Sequence, residues 1–233
     1  MKVPRARRRG KSKVFTVNDF RAIATSKMIK SADPLKGRIT EIIKDVYRTA
    51  PLMKIKFENG ETSFLPAFSG AYVGMNINYM DPSQPSSGSI LQLKDIPTGT
   101  DIYNVELMPN DGGKLVRSGG STAKLVENIS GISSVSLPSG KLVKLNQQCR
   151  AIIGRIANSG RKEKPFYKAG NKFHMIKARG RYWPMTAAVA MNAYEHKFGG
   201  KRRSSQHKSK SVPRNAPAGA KVGTIAPRRT GIR

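Results

Sequence analysis

The chain has 233 residues and carries 43 Lys and Arg against 14 Asp and Glu, a formal charge of +29. No apolar run reaches the roughly 18 residues of a membrane span, so an integral membrane helix is not expected, and the single cysteine, Cys149, excludes an intrachain disulfide and a cysteine zinc cage. The charge is unevenly placed: residues 1–30 sum to +9, residues 31–145 to +1 and residues 146–233 to +19. A near-neutral middle between two basic ends predicts a folded centre with cationic arms, and such arms call for a polyanion, because contact with phosphates releases condensed counterions.

The basic start, Lys2 to Lys13, has no apolar segment after it, which argues against a secretory signal; an Arg-rich transit segment fits it slightly better. Gly10-Lys11-Ser12 resembles the end of a phosphate-binding loop, but Arg5 stands where that loop needs Gly and no strand precedes it. Asn18–Ile29 is expected to be a helix, capped by Asn18, with Phe20, Ile23 and Ala24 on one face. Strands are expected at Arg38–Asp45 and from Leu52, where Met53, Ile55 and Phe57 alternate with Lys54, Lys56 and Glu58. A two-residue Asn59-Gly60 turn would then set Phe57 opposite Thr62 and Ile55 opposite Phe64. Asp81–Gly88 reads as a loop, followed by strands at Ile90–Leu93, through Tyr103, Val105 and Leu107, at Val135–Leu137, at Leu142–Leu145 after a Pro138-Ser139-Gly140 turn, and at Ala151–Ile156. Many short strands with turn residues between them predict an all-β middle of two small barrels or sandwiches.

Between Lys164 and Phe198 cations interleave with Phe166, Tyr167, Phe173, Tyr182, Trp183 and Tyr194. RNA loops offer unstacked bases to aromatic rings and guanidinium planes, whereas duplex DNA hides them, so the mixture favours RNA; the alternative for Phe166, Tyr167 and Phe173 is closure of the last barrel. Lys197 to Arg233 holds eleven Lys or Arg, five Gly, three Pro and no acid. It lacks the apolar surface for a core and is expected to order only on a partner. His174, His196 and His207 have no spacing that puts two ligands on one helix face, and no metal or cofactor is expected. Cys149, beside Ala151, Ile152 and Ile153, reads as a packing residue rather than a nucleophile.

Several stretches resemble the universal large-subunit ribosomal protein two family in its archaeal and eukaryotic form. They are Ile96-Pro97-Thr98-Gly99-Thr100, Asn104-Val105-Glu106, Gly112-Gly113, Arg117-Ser118-Gly119-Gly120, Leu137-Pro138-Ser139-Gly140 and Cys149-Arg150-Ala151, then Trp183-Pro184, Ala188–Ala193, Glu195-His196, Phe198-Gly199-Gly200, Arg214-Asn215-Ala216-Pro217 and Arg228-Arg229-Thr230-Gly231. They occur in the family's order along nearly the whole chain. The resemblance implies a basic extension (1–33), an OB-fold RNA-binding domain (34–98), an SH3-like barrel (99–175) and a basic extended tail (176–233). It implies a structural, non-enzymatic protein of the cytoplasmic ribosome, bound to large-subunit ribosomal RNA near the peptidyl transferase centre. It further implies a part in assembly, contacts with neighbouring ribosomal proteins and a bridge to the small subunit, with no membrane and no small-molecule substrate.

The RNA-binding residues expected on this reading are Arg5, Arg7, Arg8, Arg9, Arg117, Arg150, Arg179, Arg181, Trp183, Asn192, His196, Gly199, Gly200, Arg202, Arg203, Arg214, Asn215, Lys221, Arg228 and Arg229. The chain departs from the family where it has Tyr194, Glu195, His196 and Lys197 in place of a small aliphatic, Asp, His and Pro. Losing that Pro frees the loop's φ, while Tyr194 and Lys197 add groups able to stack and to meet phosphate. His196 reads as a structural RNA contact, since no second residue is positioned to make its imidazole an acid–base catalyst. A free RNA chaperone using the same basic ends is the competing reading; an enzyme has no motif to stand on.

Overall fold

The computed structural model describes residues 22–31, 33–83, 85–193, 199, 200 and 215. The chain divides into two units, residues 19–165 and residues 1–18 with 166–233. Among the described residues the first holds ten strands: β1 (Leu35–Ile43), β2 (Leu52–Phe57), β3 (Thr62–Pro66), β4 (Asn76–Tyr79), β5 (Ile90–Gln92), β6 (Asp101–Tyr103), β7 (Ala123–Ile129), β8 (Ile132–Ser136), β9 (Leu142–Asn146) and β10 (Arg150–Ile153). They form one ladder in the order β3-β2-β1-β4-β5-β10-β6-β7-β8-β9, with β3 and β9 at its ends. Every pairing is antiparallel except a short parallel one joining Tyr79 of β4 to Ile90 of β5. The described part of this unit is therefore all-β apart from 3-10 turns.

Two apolar cores lie along the ladder, and β5, β6 and β10 serve both. Ile90, Tyr103 and Ile152 enter the core built on β1–β4, whereas Leu91, Ile102, Ala151 and Ile153 enter the core built on β7–β9. Alternation along a strand sends successive side chains to opposite faces, so a strand with a core on each face reads as an unbroken apolar run, as Ala151-Ile152-Ile153 does. The 98/99 boundary expected from the sequence falls between β5 and β6, and the expected end at 175 falls inside the helix of the second unit.

The expected β2–β3 hairpin forms one residue out of the expected register. Ile55 faces Ser63 and Lys54 faces Phe64. The Gly60 N–H donates to the Phe57 carbonyl at 3.0 Å and the Phe57 N–H to the Glu61 carbonyl at 2.9 Å, so the loop has three residues, with Gly60 at φ +83°. This is a type I turn closed by a left-handed residue, and the same bonds recur at Leu137–Lys141 around Gly140. The slip changes which side chains share a face. Ser63 and Leu65 go inward beside Ile55 and Met53, and Phe64 is left half-buried.

The helix expected over Asn18–Ile29 is absent from the described part, residues 22–30, which run as an extended strap; residues 18–21 lie outside the described residues. The strap alternates as a strand does, with Ser26 and Met28 buried and Thr25 and Lys27 exposed. Its carbonyls are taken by side chains rather than by a helical ladder. Arg48 donates to Ala24 at 3.0 Å, Arg117 to Ser26 at 2.8 Å and Ser63 to Lys27 at 2.6 Å. The Met28 N–H reaches the Gly112 carbonyl at 3.1 Å. Sequence reading also passed over β4 and β7: β4 has only four residues, and a bulge at Val126 breaks the period of β7. The strand expected through Leu107 stops at Tyr103, because Asn104 turns the backbone to φ +49°.

Arg150 joins these pieces. It is 2 % exposed, donates from Nη2 to Glu106 Oε1 at 2.6 Å and from Nε to Oε2 at 3.1 Å, and its Nη1 serves the Ile29 carbonyl at 2.6 Å and the Tyr79 hydroxyl. Glu106→Ala is expected to lower unfolding free energy by about 3–5 kcal/mol, since it strands a buried guanidinium. The double replacement Glu106→Leu with Arg150→Met should recover part of that loss. Urea denaturation of the three chains checks both statements.

Candidate nucleic-acid interface

The first unit carries a groove of about 690 Å³, formed by residues 114–122, the β8–β9 turn at 137–139, and Ser159 with Arg161. Its chemistry follows from the residue types: cations from Lys114, Arg117 and Arg161, hydroxyls from Ser118, Ser121, Thr122, Ser139 and Ser159, and no carboxylate. Cations and hydroxyls without acids suit a phosphate–sugar backbone.

Gly119 and Gly120 make the groove possible. A Cβ on Gly119 would stand 2.5 Å from the Thr49 carbonyl oxygen, and one on Gly120 would strike Ser159. The Gly119 N–H donates to Thr49 Oγ1 at 3.0 Å, the Gly120 N–H to the Ala157 carbonyl at 3.0 Å, and Arg161 Nε to the Gly119 carbonyl at 2.8 Å. The groove floor is thus tied on both sides before any ligand arrives.

Lys114 pairs with Asp111 at 3.4 Å. Burial alone would raise the Asp111 carboxyl; hydrogen bonds from the N–H groups of Gly113, Leu107 and Met108, with the Lys114 charge, outweigh it and hold the group below its ordinary value. Burial presses the Arg117 guanidinium below its ordinary value, the Arg48 charge adds to this, and Asp111 opposes it. Arg117 makes no ion pair with a described carboxylate, so an anion beside it would relieve an electrostatic cost.

The second unit contains the only α-helix of the described residues, α1 (Ala169–Ala178), with no residue buried. Its end is closed by the Gly180 N–H on the Lys177 carbonyl at 3.0 Å and the Arg181 N–H on the Ile176 carbonyl at 3.2 Å, a Schellman pair. Lys172 Nζ lies 5.6 Å from the Trp183 ring centroid and Lys177 Nζ 5.9 Å from that of Phe173. Phe166, Tyr167 and Phe173 are all exposed and belong to the second unit.

The sequence-expected contact residues fall into three groups. Arg179, Arg181, Asn192, Gly200 and Asn215 are exposed, and Arg117, Trp183 and Gly199 are partly buried. Arg150 is the correction: its guanidinium is enclosed and committed to Glu106, Tyr79 and Ile29, so it does not stand on a surface where RNA could reach it. Arg5, Arg7, Arg8, Arg9, His196, Arg202, Arg203, Arg214, Lys221, Arg228 and Arg229 lie outside the described residues. Lys114, Arg161 and the groove hydroxyls were missed, because nothing in the sequence says that residues 114–122 meet 159–161; the acid-free run Arg117–Thr122 was the available signal.

No group of three metal-ligating side chains occurs among the described residues. The Cys149 thiol is buried and pushed up to about 11, first by burial and then by the Glu106 charge, so it is not a nucleophile at neutral pH.

The first unit is all-β in its described part and carries an acid-free cationic groove, and a strongly basic segment follows it in the sequence. Residues 86–220 match the family model described as Ribosomal Proteins L2, C-terminal domain. The proteins called large ribosomal subunit protein uL2 are similar along most of their length. That of Nanoarchaeum equitans is 48 % identical over 85 % of this chain and 84 % of its own; that of Methanothermobacter thermautotrophicus is 44 % identical over 88 % and 85 %; that of Haloarcula marismortui is 42 % identical over 91 % and 88 %. The chain belongs to the ribosomal protein L2 (uL2) family, in its archaeal form.

Two outcomes are expected here. Cys149 should resist a thiol reagent at pH 8 in the native chain and react fully once the chain is unfolded, as absorbance of the released thiolate would show. Asp111 has a depressed folded pKa, so its stabilisation is complete above the unfolded value of about 4 and fades as pH falls through the folded one. Asp111→Asn should therefore destabilise the chain at neutral pH, and the gap from the parent chain should narrow as pH falls below the ordinary carboxylate value in pH-resolved urea titrations.

Proposed function

We propose that this chain is a structural RNA-binding component of the large ribosomal subunit, working in the cytoplasmic ribosome and not as an enzyme. Family membership supports the assembly, and the acid-free groove of Lys114, Arg117 and Arg161 is the observation that carries the RNA-binding part. On this reading the chain lies in large-subunit ribosomal RNA near the peptidyl transferase centre, among neighbouring ribosomal proteins and at a bridge to the small subunit, and it supports subunit assembly and association. Residues 34–98 would be an OB-type barrel, which suits the five-strand order β3-β2-β1-β4-β5, and residues 99–175 an SH3-like barrel.

The cations divide the work. Arg117, Lys114 and Arg161 would meet phosphates from the fixed groove, Arg179 and Arg181 from the second unit, and Arg5, Arg7, Arg8, Arg9, Arg202, Arg203, Arg214, Lys221, Arg228 and Arg229 from the basic ends. Trp183, Asn192, His196, Gly199, Gly200 and Asn215 would make the closer contacts, with His196 structural. Arg150 would act from inside, by holding the fold.

The test is sedimentation of the chain with large subunits through a sucrose gradient after a high-salt wash. Stoichiometric retention is expected, with weaker retention for the Arg228→Ala, Arg229→Ala double variant. In binding to purified large-subunit RNA, Lys114→Gln with Arg161→Gln should reduce the log–log salt slope by about 0.7–0.9 per lost phosphate contact. Release of the parent chain into light fractions, with equal affinity for any RNA, would overturn the proposal.

A further inference from the structure

Residues 166–183 show a combination that packing does not account for. α1 has ten residues and buries none of them, and it is shorter than the roughly 12–15 residues at which a lone helix becomes even marginal in water. Tyr167 is 84 % exposed and Phe166 48 % exposed. Single exposed apolar residues are ordinary, but these two stand in one short stretch of sequence with five exposed cations, Lys168, Lys172, Lys177, Arg179 and Arg181, and no acid occurs anywhere from Lys164 to Tyr194.

The rings differ in what already faces them. Trp183 has Lys172 against it, and Phe173 has Lys177 and the His174 ring, at 5.6 Å, 5.9 Å and 5.5 Å respectively. Among the described residues no ring or cation lies against Phe166 or Tyr167. Their faces are open to a ligand whose own charge is negative and whose own faces are flat.

We propose that Phe166 and Tyr167, flanked by the cations of α1, form a stacking platform for unpaired RNA bases, so that this segment takes a single-stranded loop or bulge rather than a duplex. The inference rests on the RNA-binding reading above and narrows it. Duplex RNA keeps its base faces stacked inside, and it would use the cations while leaving both rings idle; a strand with splayed bases uses both. Stacking on rings tolerates any base, so the platform selects for strand state and not for sequence. An acidic protein surface would also satisfy the cations, but it offers the rings no matching faces.

The test uses the full chain, with anisotropy of an end-labelled ten-nucleotide uridine RNA and of a ten-base-pair RNA duplex, each across a salt series. Tyr167→Ala should weaken binding of the single strand by roughly 5- to 150-fold without changing its salt slope. Tyr167→Trp should retain the parent affinity, and the duplex should be unaffected by either change. Lys168→Gln with Lys172→Gln should instead lower the slope for both RNAs. Unchanged affinity for the single strand, or equal loss for strand and duplex, would overturn the platform.

Because the basic ends also bind RNA, ultraviolet cross-linking of purified large subunits provides the second readout. Attachment of the peptide containing Phe166 and Tyr167 to an unpaired pyrimidine is expected; attachment only to paired positions, or none, counts against the proposal. A parent chain that fails to stay on the subunit defeats the broader reading. A retained parent chain with an indifferent Tyr167→Ala variant defeats this one alone.

Discussion

One buried ion pair holds the first unit in register. Arg150 and Glu106 exchange backbone as well as side-chain bonds: the Arg150 N–H donates to Glu106 Oε2 at 2.9 Å, and the Glu106 N–H to the Arg150 carbonyl at 3.0 Å. Glu106 also accepts the N–H groups of Gly112 at 2.9 Å and Asn110 at 3.2 Å, while Arg150 and Tyr79 reach the strap at Ile29. Burial works against the Arg150 charge, yet the bonds and charges of Glu106 and Tyr79 prevail and raise its pKa above the ordinary value. An apolar pair of the same volume could match this in energy. It could not align β4, β10, the 106–112 loop and the strap at once, because dispersion has no direction. The groove inherits that alignment, since loop 106–112 leads into Lys114 and Arg117, and Arg117 is itself bonded to the strap at Ser26.

How much of this was legible in the sequence depends on whether the deciding contact is local. The hairpin at Asn59-Gly60 was visible because its two alternating strands and its turn lie within fifteen residues. Its register was not, because the same two letters serve a two-residue turn and a three-residue turn with Gly60 left-handed. The strap failed for a different reason. Residues 22–30 contain good helix formers, and what keeps them extended is Arg48, Ser63, Tyr79, Arg117 and Arg150, which stand up to 121 positions away. In α1 the Schellman end at Gly180 was a readable signal, but Ala169–Ala178 has no apolar face to give the period away.

The candidate site follows the same rule. Composition led to the expectation of a polyanion, and the interleaved rings to the expectation of RNA. Arg150 was misjudged because a motif position records that a residue is needed and does not say whether it faces a ligand or a core. Lys114 and Arg161 were passed over because they become neighbours only when Arg161 crosses to the Gly119 carbonyl.

The division between cations that build the fold and cations left for a partner follows from where the acids are. Asp45 holds Arg48, Glu41 holds Lys54 and Glu106 holds Arg150, all within the part of the chain up to residue 165. Those carboxylates convert positive charges into internal struts, most strongly where water is excluded, as at Glu106. From Lys164 to Tyr194 no acid is present to do this, and Lys168, Lys172, Lys177, Arg179 and Arg181 all stand exposed. Adding acids there would have stabilised α1 through pairs one turn apart, each worth a few tenths of a kcal/mol. On the proposed reading it would also cancel the field that draws in RNA, so a helix weak on its own and strongly cationic suits a segment whose stabilisation is left to a partner.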